Sequence, residues 1–455
     1  MAKKKSTSSK GIKLPKHLQH LNQKAAGIDI GSRSHFVAIP EGMAEQSVRE
    51  FSTFTDSLTE LADWLVECGI TTVAMESTGI YWIPVFEIIE RRGIEVRLVN
   101  AHHVKNVPGR KSDVQDCQWL QQLHTYGLMR GAFRPKGQVC ELRSYVRQRA
   151  TLIRNAASHI QHMQKALAQM NILLHNVVTD ITGMTGMRII KAILTGERNP
   201  HKLAAMRDVR CKNDAATIAR SLHGTYSKEH LFSLRQAVEL YEFYLKQIAD
   251  CDEEILKQLK SFDAKHDDKD SDNDKTDKAG KPPSTVEEAL QKMSGVDLAK
   301  IDGISNITAL KVIAEIGIDM SQWKTEKHFA SWLGLCPGSK ISGGKILSRA
   351  TRQVANRVAA ALRMSAVSLQ NSKSALGAYY RRMRTRLGAP KAITATAHKL
   401  ARLVYSMLRY GSEYVDFGQK QYEEKYKARV VQNVKRKAQE LGFEMIPIQP
   451  EMQNA

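Results

Sequence analysis

The stretch IDIGSRSH, residues 28–35, places one aspartate between two isoleucines near the end of a predicted strand, and Gly31 follows at once. A carboxylate in a hydrophobic strand is costly to bury, so Asp29 requires a proton, a metal ion or another cation beside it. The overlapping segment KAAGIDIG and the following segment HFVAIP predict two adjacent strands. The first two predicted strands therefore include a carboxylate whose burial is unfavourable, and the group that compensates for Asp29 must be sought elsewhere in the sequence.

The segments that follow predict an α/β domain over residues 23–135. SLTELADWLVECG predicts a helix, TTVAMES a strand, WIPVFEIIERRG a helix, IEVRLVN a strand, and SDVQDCQWLQQLHTYG a helix with Ser112 as its N-cap. This order gives a mixed sheet flanked by helices. Residues 1–22, which are rich in lysine, predict a flexible basic arm that either contacts phosphates or only improves solubility.

The remainder of the chain is predicted to be helical. Residues 136–262 contain two long helical patterns that indicate an antiparallel or intermolecular coiled coil, with a less regular insertion near 180–225. After it come a disordered linker rich in Asp and Lys (263–285), a helical unit with a Gly-rich segment at its centre (286–415) and a helical basic tail (416–455). The predicted fold class is thus α/β plus all-α.

Composition narrows the class of partner. The 455 residues include 68 Lys or Arg against 47 Asp or Glu, a formal net charge of +21, which favours nucleic acid over an acidic small substrate. Six scattered cysteines without C-x-x-C pairing predict reduced thiols and argue against a structural zinc site. No run approaches the roughly 20 apolar residues of a membrane helix, and the basic N-terminus lacks the apolar core of a signal peptide, so we expect a cytoplasmic protein with no membrane partner.

Three further acids are candidates to join Asp29. Glu76 ends the strand TTVAMES, while Asp113 and Asp116 stand three apart and so share one helical face. If that helix lies against the sheet near the strand ends, four carboxylates converge and require cations. Two hard divalent ions, Mg²⁺ or Mn²⁺, would meet that need and would suit cleavage of a phosphodiester.

Two other interpretations of this region remain open. GIDIGS also resembles the first phosphate loop of actin-like ATPases and sugar kinases, although no Gly-rich adenosine motif follows and a kinase does not explain the charge. His35 is a conceivable fifth metal ligand, but a strand histidine that faces solvent or a helix is the simpler expectation. Taken alone, Asp113 and Asp116 match a common surface pattern.

The second globular unit contains two candidate nucleic-acid elements. IDGISNITALKVIAEIG, residues 301–317, resembles a helix-hairpin-helix in which backbone amides around Gly303 and the next helix grip a phosphate, although Ser305 replaces the usual second glycine. A simple packing hairpin is an equally good interpretation. In YYRRMRTRLG, residues 379–388, the four arginines are most simply a solvated basic helix face, and the alternative is a grip on RNA.

LGLCPGSKISGGKILSRATR, residues 333–352, contains a candidate nucleophile. Ser342 precedes two glycines that permit close backbone approach, and positive charge is supplied nearby by Lys345, Arg349 and Arg352. Such a serine could attack phosphorus and hold a covalent phosphoserine. An ordinary turn is the competing interpretation, and Ser339 and Ser348 are the neighbours that could be confused with it.

The motifs together resemble the DEDD transposases of the insertion sequence 110 and 1111 family, described as bridge-RNA-guided recombinases. The resemblance rests on GIDIGSRSH, ESTGIYWIP and KSDVQDCQWL, followed beyond the long helices by GISNITALKVIAEIG and FASWLGLCPGSKISGG. These motifs cover both globular ends of the chain in the family's order. The long 180–225 insertion and the Asp/Lys linker depart from the family's pattern.

The resemblance implies a RuvC-like, ribonuclease H-type N-terminal domain and a C-terminal transposase domain. It implies Asp29, Glu76, Asp113 and Asp116 as ligands of Mg²⁺ or Mn²⁺ and Ser342 as the nucleophile. Family members are understood to cleave and rejoin donor and target DNA chosen by a noncoding guide RNA, and to join the halves of the active site across protomers. For this chain we therefore expect a homo-oligomer, a dimer or tetramer formed through the coiled coil.

Two functional alternatives stay open. The first is a RuvC-like junction nuclease that uses two metal ions and water, with the C-terminal unit only holding DNA. The second is a non-catalytic scaffold that binds RNA through its basic segments.

Overall fold

The computed structural model describes residues 21–77, 79–99, 112–129, 131–135, 137–266, 285–348, 350–352 and 354–446, with only the backbone at 263–266. The chain divides into two compact units, residues 1–134 and 135–455, and each is described by itself. Most of the predicted arm and linker, and the end of the tail, lie outside the described residues. Among the described helices, none combines the length and apolar character needed to cross a membrane.

The first unit is built on a five-stranded mixed sheet in the order β3-β2-β1-β4-β5. The strands are β1 (Ala25–Ile30), β2 (Ser34–Ala38), β3 (Val48–Ser52), β4 (Thr72–Glu76) and β5 (Glu95–Val99). β2 runs antiparallel to both β1 and β3, while β1, β4 and β5 run parallel. The predicted mixed sheet is confirmed. The sequence did not predict β3, because this edge strand buries only Phe51 and so lacks a clear alternating pattern.

Helices cover both faces of this sheet. α1 (Thr55–Glu67) and α2 (Trp82–Arg91) bury leucines and aromatic residues against one face, where Ile28 and Ile30 of β1 contribute to the core. α3 (Asp113–Thr125) packs against β1, β2 and β4 on the other face. Ser112 caps α3 as predicted, since its side chain accepts a hydrogen bond from Gln115 N–H.

Two long helices dominate the first part of the second unit. α4 (Gln138–Gln169) pairs with the later helix α9 (Lys228–His266). The pair is antiparallel, because Gln258 donates to Glu141 near one end and His159 stacks on Tyr244 farther along. The long helices are therefore paired within one chain, while supercoiling and pairing between protomers stay predictions.

The segment between the two long helices forms a small helical cap. It contains α5 (Leu174–Val177), α6 (Met184–Leu194), α7 (Pro200–Ala205) and α8 (Ala215–Ser221). Buried isoleucines of α6 pack with apolar residues from α4 and α9. Asn199 and Asp214 cap α7 and α8 with their side chains. The region is more regular than the sequence predicted, because several of these helices are too short to show a clear helical period.

The C-terminal part of this unit is helical, as predicted, with a β-hairpin at its centre. Its helices are α10 (Val286–Ser294), α11 (Asn306–Ile316), α12 (Glu326–Trp332), α13 (Arg357–Ser368), α14 (Ala375–Leu387), α15 (Ala389–Tyr410) and α16 (Gly418–Glu440). The hairpin comprises β6 (Lys340–Ser342) and β7 (Lys345–Ser348). α15 packs against α12, α13 and α14, and its buried Tyr405 donates a hydrogen bond to the carbonyl of Trp323.

One buried carboxylate joins the long helix α4 to this C-terminal part. Glu315 of α11 accepts hydrogen bonds from Arg143 and Arg147, each at 2.8 Å, and its side chain is 11% exposed. Burial by itself would raise the pKa of Glu315, but the hydrogen bonds and charges of the two arginines outweigh it and hold that pKa below its usual value. The ion pairs therefore stabilise the charged form and fix α4 against α11.

Replacing this carboxylate should destabilise the second unit. We expect Glu315→Gln to lower the free energy of unfolding by about 2 kcal/mol, because two partly buried guanidinium groups lose a charged acceptor. Glu326→Gln, which breaks the more exposed pair with Arg402, is the matched control and should cost less than about 1 kcal/mol. Denaturant unfolding measures the loss of stability in each variant. Equal losses would contradict the stabilising role given to the buried ion pairs of Glu315.

The same carboxylate predicts a pH dependence. Because the folded-state pKa of Glu315 lies below its unfolded value, its contribution is present above the unfolded pKa and is lost as pH falls through the folded pKa. The stability difference between wild type and Glu315→Gln should therefore shrink on acidification below about pH 4.5. Unfolding curves at neutral and acidic pH test this, and a difference that grows in acid would refute it.

Candidate active site

Asp29 and Glu76 lie at the same edge of the sheet. β1 and β4 are parallel neighbours in which Ile28 stands opposite Met75, so Asp29 and Glu76 occupy the next positions along the two strands. The carboxyl ends of parallel strands are where α/β sheets commonly bind ligands. Strand pairing thus places the first two predicted acids side by side.

Gly27 brings the other two acids to this edge. It lies on the same face of β1 as Asp29, and the backbone of α3 crosses directly over it. A Cβ atom at this position would lie 2.5 Å from the carbonyl of Cys117 and 2.8 Å from Cα of Gln121. Only glycine permits this approach, which brings the first turn of α3, with Asp113 and Asp116, close to Asp29.

The electrostatics of Asp29 connect it with the other three candidate acids. Burial raises its pKa, and the charges of Asp116, Asp113 and Glu76 raise it further, to about 6. The same crowding reaches Cys117, whose thiol pKa is raised to about 12 by burial and by the charge of Asp29. The structure therefore brings Glu76, Asp113 and Asp116 within electrostatic range of Asp29.

The donor set suits a hard divalent cation. All four candidate ligands are carboxylates, and the groups that shift the pKa of Asp29 include no cation among the described residues. Within that described part, no three acidic, histidine or cysteine side chains already form a cluster tight enough to hold a metal ion. The residues thus fit a divalent metal in type and charge, and Asp29, Glu76, Asp113 and Asp116 would be the ones to hold it.

His35 lies apart from this site. It pairs with Ile30 across β1 and β2, so its side chain lies on the sheet face opposite Asp29, and only 1% of it is exposed. Of the two expected orientations, solvent is wrong and a helix is right, because His35 lies on the same face as Ile30, which α1 and α2 cover. Burial lowers its pKa, which keeps the ring neutral.

Ser342 lies in the second unit, at the tip of the β6–β7 hairpin. It pairs with Lys345 across a two-residue turn formed by Gly343 and Gly344, whose φ angles are +53° and +75°. Two positive φ angles are typical of the tight turns that match strand twist and strongly favour glycine. Ser342 is exposed, and its hydroxyl makes no hydrogen bond with a described side chain. The glycines thus define a hairpin turn, and they leave the hydroxyl open to a ligand.

The predicted cations near Ser342 differ in their surroundings. Lys345 is exposed beside the serine. Arg352 donates a hydrogen bond of 2.7 Å to the carbonyl of Ser331 and so also holds the base of the hairpin segment. Arg349 lies outside the described residues.

Gly303 stands just before α11 and is packed closely against α13. Its φ angle is +84°, and a Cβ atom there would lie 2.7 Å from the carbonyl of Ser365. Ser305 caps α11 by accepting from Thr308 N–H, so one of the free amides at this helix start already has a partner. These contacts account for Gly303 through packing, and a phosphate grip at the turn stays a prediction.

Sequence reasoning missed Gly27 as a residue on which the site depends. The run of small residues Ala25, Ala26 and Gly27 in a buried strand was the available signal, since small side chains permit close backbone approach. It could not identify which helix would approach.

Comparison with known families gives two matches. Residues 26–172 match a family model of the DEDD transposase of IS110, described as a transposase, and residues 297–381 match the transposase family of IS116, IS110 and IS902. Together the two matches cover about half of the chain and include all four carboxylates and Ser342. A search of curated proteins gave no match.

Gly27→Ala should disrupt the site through the backbone of α3. The added methyl group must displace the helix, so we expect a loss of roughly 3 kcal/mol in stability and weaker binding of divalent metal. Gly131→Ala is the control, because its Cβ would meet nothing closer than 3.9 Å. Thermal unfolding with and without Mn²⁺ measures the stability and the metal binding of each variant. Equal results for the two variants would contradict a close contact between Gly27 and the backbone of α3.

Asp29→Asn should stabilise the metal-free protein near neutral pH. It removes a buried negative charge that three other carboxylates repel, so the melting temperature should rise in EDTA. Added Mn²⁺ should raise the melting temperature of the wild type and not that of the variant. A variant that is less stable in EDTA would show that Asp29 has a compensating partner.

Proposed function

Because the chain belongs to the IS110 family of DEDD transposases, we propose that it cleaves and rejoins DNA strands through Ser342 and a metal site formed by its four carboxylates. As a transposase it acts on DNA. The serine nucleophile, the metal ligands and the use of a guide RNA are the parts that we add. The convergence of Asp29, Glu76, Asp113 and Asp116 at one edge of the sheet is the observation that carries the proposal.

The topology of the first unit supports a RuvC-like, ribonuclease H-type domain. A central strand that has an antiparallel hairpin on one side and parallel strands on the other matches the arrangement expected for such a domain. The ligands would be Asp29, Glu76, Asp113 and Asp116, and the metal Mg²⁺ or Mn²⁺. When bound, such ions neutralise charge on a phosphodiester and activate the attacking and leaving oxygens.

Ser342 performs the covalent step in this proposal. Its Oγ forms a bond to phosphorus while the bond from phosphorus to the leaving strand's oxygen breaks, and that oxygen takes up a proton. In the rejoining step a strand hydroxyl attacks the phosphoserine and the serine hydroxyl is regenerated. The exposure of Ser342 on a tight hairpin supports this role, because a DNA backbone can approach it without steric hindrance.

Nearby cations would hold the DNA at the hairpin. Lys345, beside Ser342, and Arg349 and Arg352, farther along the segment, would contact phosphate oxygens, and Gly303 would contribute a backbone contact at the start of α11. We further propose that a noncoding guide RNA selects donor and target DNA and that the protein acts as a homo-oligomer, a dimer or tetramer. The net charge of +21 supports nucleic-acid partners in general.

A second candidate function is a RuvC-like nuclease that uses water instead of serine. One observation favours it: Ser342 is exposed, and among the described residues its hydroxyl has no hydrogen-bonded side chain that could act as a base. This function needs only the four carboxylates and predicts cleavage without a covalent intermediate.

Trapping a covalent complex tests the proposal. Purified protein is incubated with labelled DNA carrying the element's ends and with co-purified RNA, and adducts are resolved under denaturing conditions. We expect an adduct in the wild type and in Ser339→Ala, and none in Ser342→Ala. Cleavage that persists in Ser342→Ala without any adduct would establish the water-based nuclease, and loss of all cleavage in Asp29→Ala is expected in either case.

A further inference from the structure

Three helices of the second unit enclose a cluster of cations and tyrosines that the proposed active site does not use. We define the arginine–tyrosine cluster as Tyr379 and Arg382 of α14, Lys399 of α15, and Tyr422 and Tyr426 of α16. The guanidinium carbon of Arg382 lies 3.9 Å from the ring centre of Tyr426 and 5.1 Å from that of Tyr422. Lys399 Nζ lies 4.7 Å from the ring centre of Tyr379 and 5.6 Å from that of Tyr422.

The arginines of this segment are not the uniform solvated face that the sequence suggested. Arg381 donates hydrogen bonds to the carbonyl of Ser372 and the side chain of Gln419, so it helps to attach α16. Arg382 is enclosed by tyrosines, whereas Arg384 and Arg386 are exposed. The interpretation as a solvated basic helix face is therefore wrong for Arg381 and Arg382.

Arg382 lacks the partners that a guanidinium group requires. The tyrosine rings cover the faces of this group, but ring faces do not accept the hydrogen bonds that its N–H groups donate in the plane. Nε and Nη1 are buried without a hydrogen-bond partner among the described residues, as is the hydroxyl of Tyr422. A buried unsatisfied donor is destabilising, so the cluster is incomplete as it stands.

Lys399 is also held in unfavourable surroundings. Burial lowers its pKa, and the charges of Arg382, Arg402 and Arg429 lower it further. Within the described part of the chain, no carboxylate contributes to this shift. A site with several cations and unsatisfied donors is one that an anion would stabilise.

A mostly apolar cavity of about 430 Å³ adjoins the cluster on the side of Lys399, and Arg382 is not part of its lining. Lys399, Tyr422 and Lys425 contribute to its lining. Two carboxylates also line it, but Asp416 accepts from the backbone N–H of Ala375 and from the hydroxyl of Tyr414, and Glu413 lies 3.8 Å from Lys300. Both acids therefore already have partners among the described residues.

The helix that covers the cluster is the least embedded long helix of this part of the chain. α16 contributes no buried residue, and it carries seven Lys or Arg against three Glu. An outward movement of α16 would therefore expose no large core while uncovering the buried atoms of Arg382. Its own basic residues would then lie beside the opened site.

We propose that the arginine–tyrosine cluster binds a phosphate of a nucleic-acid backbone, with Arg382 and Lys399 as its ligands and α16 as a movable basic cover. A phosphodiester supplies oxygens for the unsatisfied donors and a charge for the unpaired cations. The proposal rests on the proposed function only in taking nucleic acid as the partner, since it needs neither Ser342 nor the carboxylates.

Lys399→Met gives a test in which stability and binding change in opposite directions. Methionine keeps an apolar side chain against Tyr379 and removes a cation that other cations repel, so the melting temperature should stay equal or rise. Affinity for nucleic acid should nevertheless fall roughly tenfold. Normal binding by this variant, whatever its stability, would overturn the role of Lys399 as a phosphate ligand.

Binding is measured by fluorescence anisotropy on the full-length protein in EDTA, so that cleavage does not contribute. Separate arms use single-stranded RNA, single-stranded DNA and duplex DNA of one length and base sequence, and the arm with the largest loss identifies the source of the phosphate. Arg382→Gln should weaken binding roughly tenfold and reduce the slope of log affinity against log salt by about one phosphate contact. Arg384→Gln removes the same charge from an exposed position of α14 and should change affinity less than about twofold.

Two results would overturn the proposal. Equal losses in Arg382→Gln and Arg384→Gln would show only a general effect of net charge. Displacement of the nucleic acid by poly-glutamate, with an affinity that falls in the same two cluster variants, would reassign the surface to an acidic protein. The two proposals can fail separately. If the protein forms no adduct through Ser342 but the cluster variants still lose binding, the nucleophile assignment fails and this inference stands.

Discussion

The contact between Gly27 and the backbone of α3 is the constraint on which the first unit's site depends. A strand that ends in a carboxylate is common, and so is a helix with two acids in its first turn. The missing side chain at Gly27 lets the two meet, because α3 can then lie directly on β1 with its N-terminal turn beyond the strand end. The parallel pairing of β1 and β4 supplies the remaining acid without any special residue.

Elements with a strong period were predictable from the sequence. The strands β1 and β4, the helix α3 with its Ser112 cap, and the long helices α4 and α9 all follow from hydrophobic spacing and capping. Three features were not predictable in this way. β3 is an edge strand with one buried residue, the helices of the cap are short, and the environment of Arg382 depends on tyrosines about 40 residues farther along the chain.

At the candidate site, the identity of the acidic residues was predictable from the sequence, but their arrangement in space was not. The spacing of Asp113 and Asp116 predicted a shared helical face, and the family resemblance assigned the four acids together. Neither could show why the helix comes close enough, because a glycine in a strand has many explanations and the sequence does not say which element crosses it. At Ser342 the two glycines fix the turn, but they do not identify what deprotonates the hydroxyl.

The two units each contain a group whose pKa is shifted by neighbouring charges of its own sign, and those signs are opposite. Around Asp29 the excess is negative, and burial together with three other carboxylates raises its pKa. Around Arg382 and Lys399 the excess is positive, with donors left unsatisfied. Folding alone does not require either arrangement, since replacing buried charged groups by apolar residues of similar size is often neutral or stabilising. Under the proposed function, these two opposite charges would be balanced by the divalent cations and the phosphates that a nucleic acid brings.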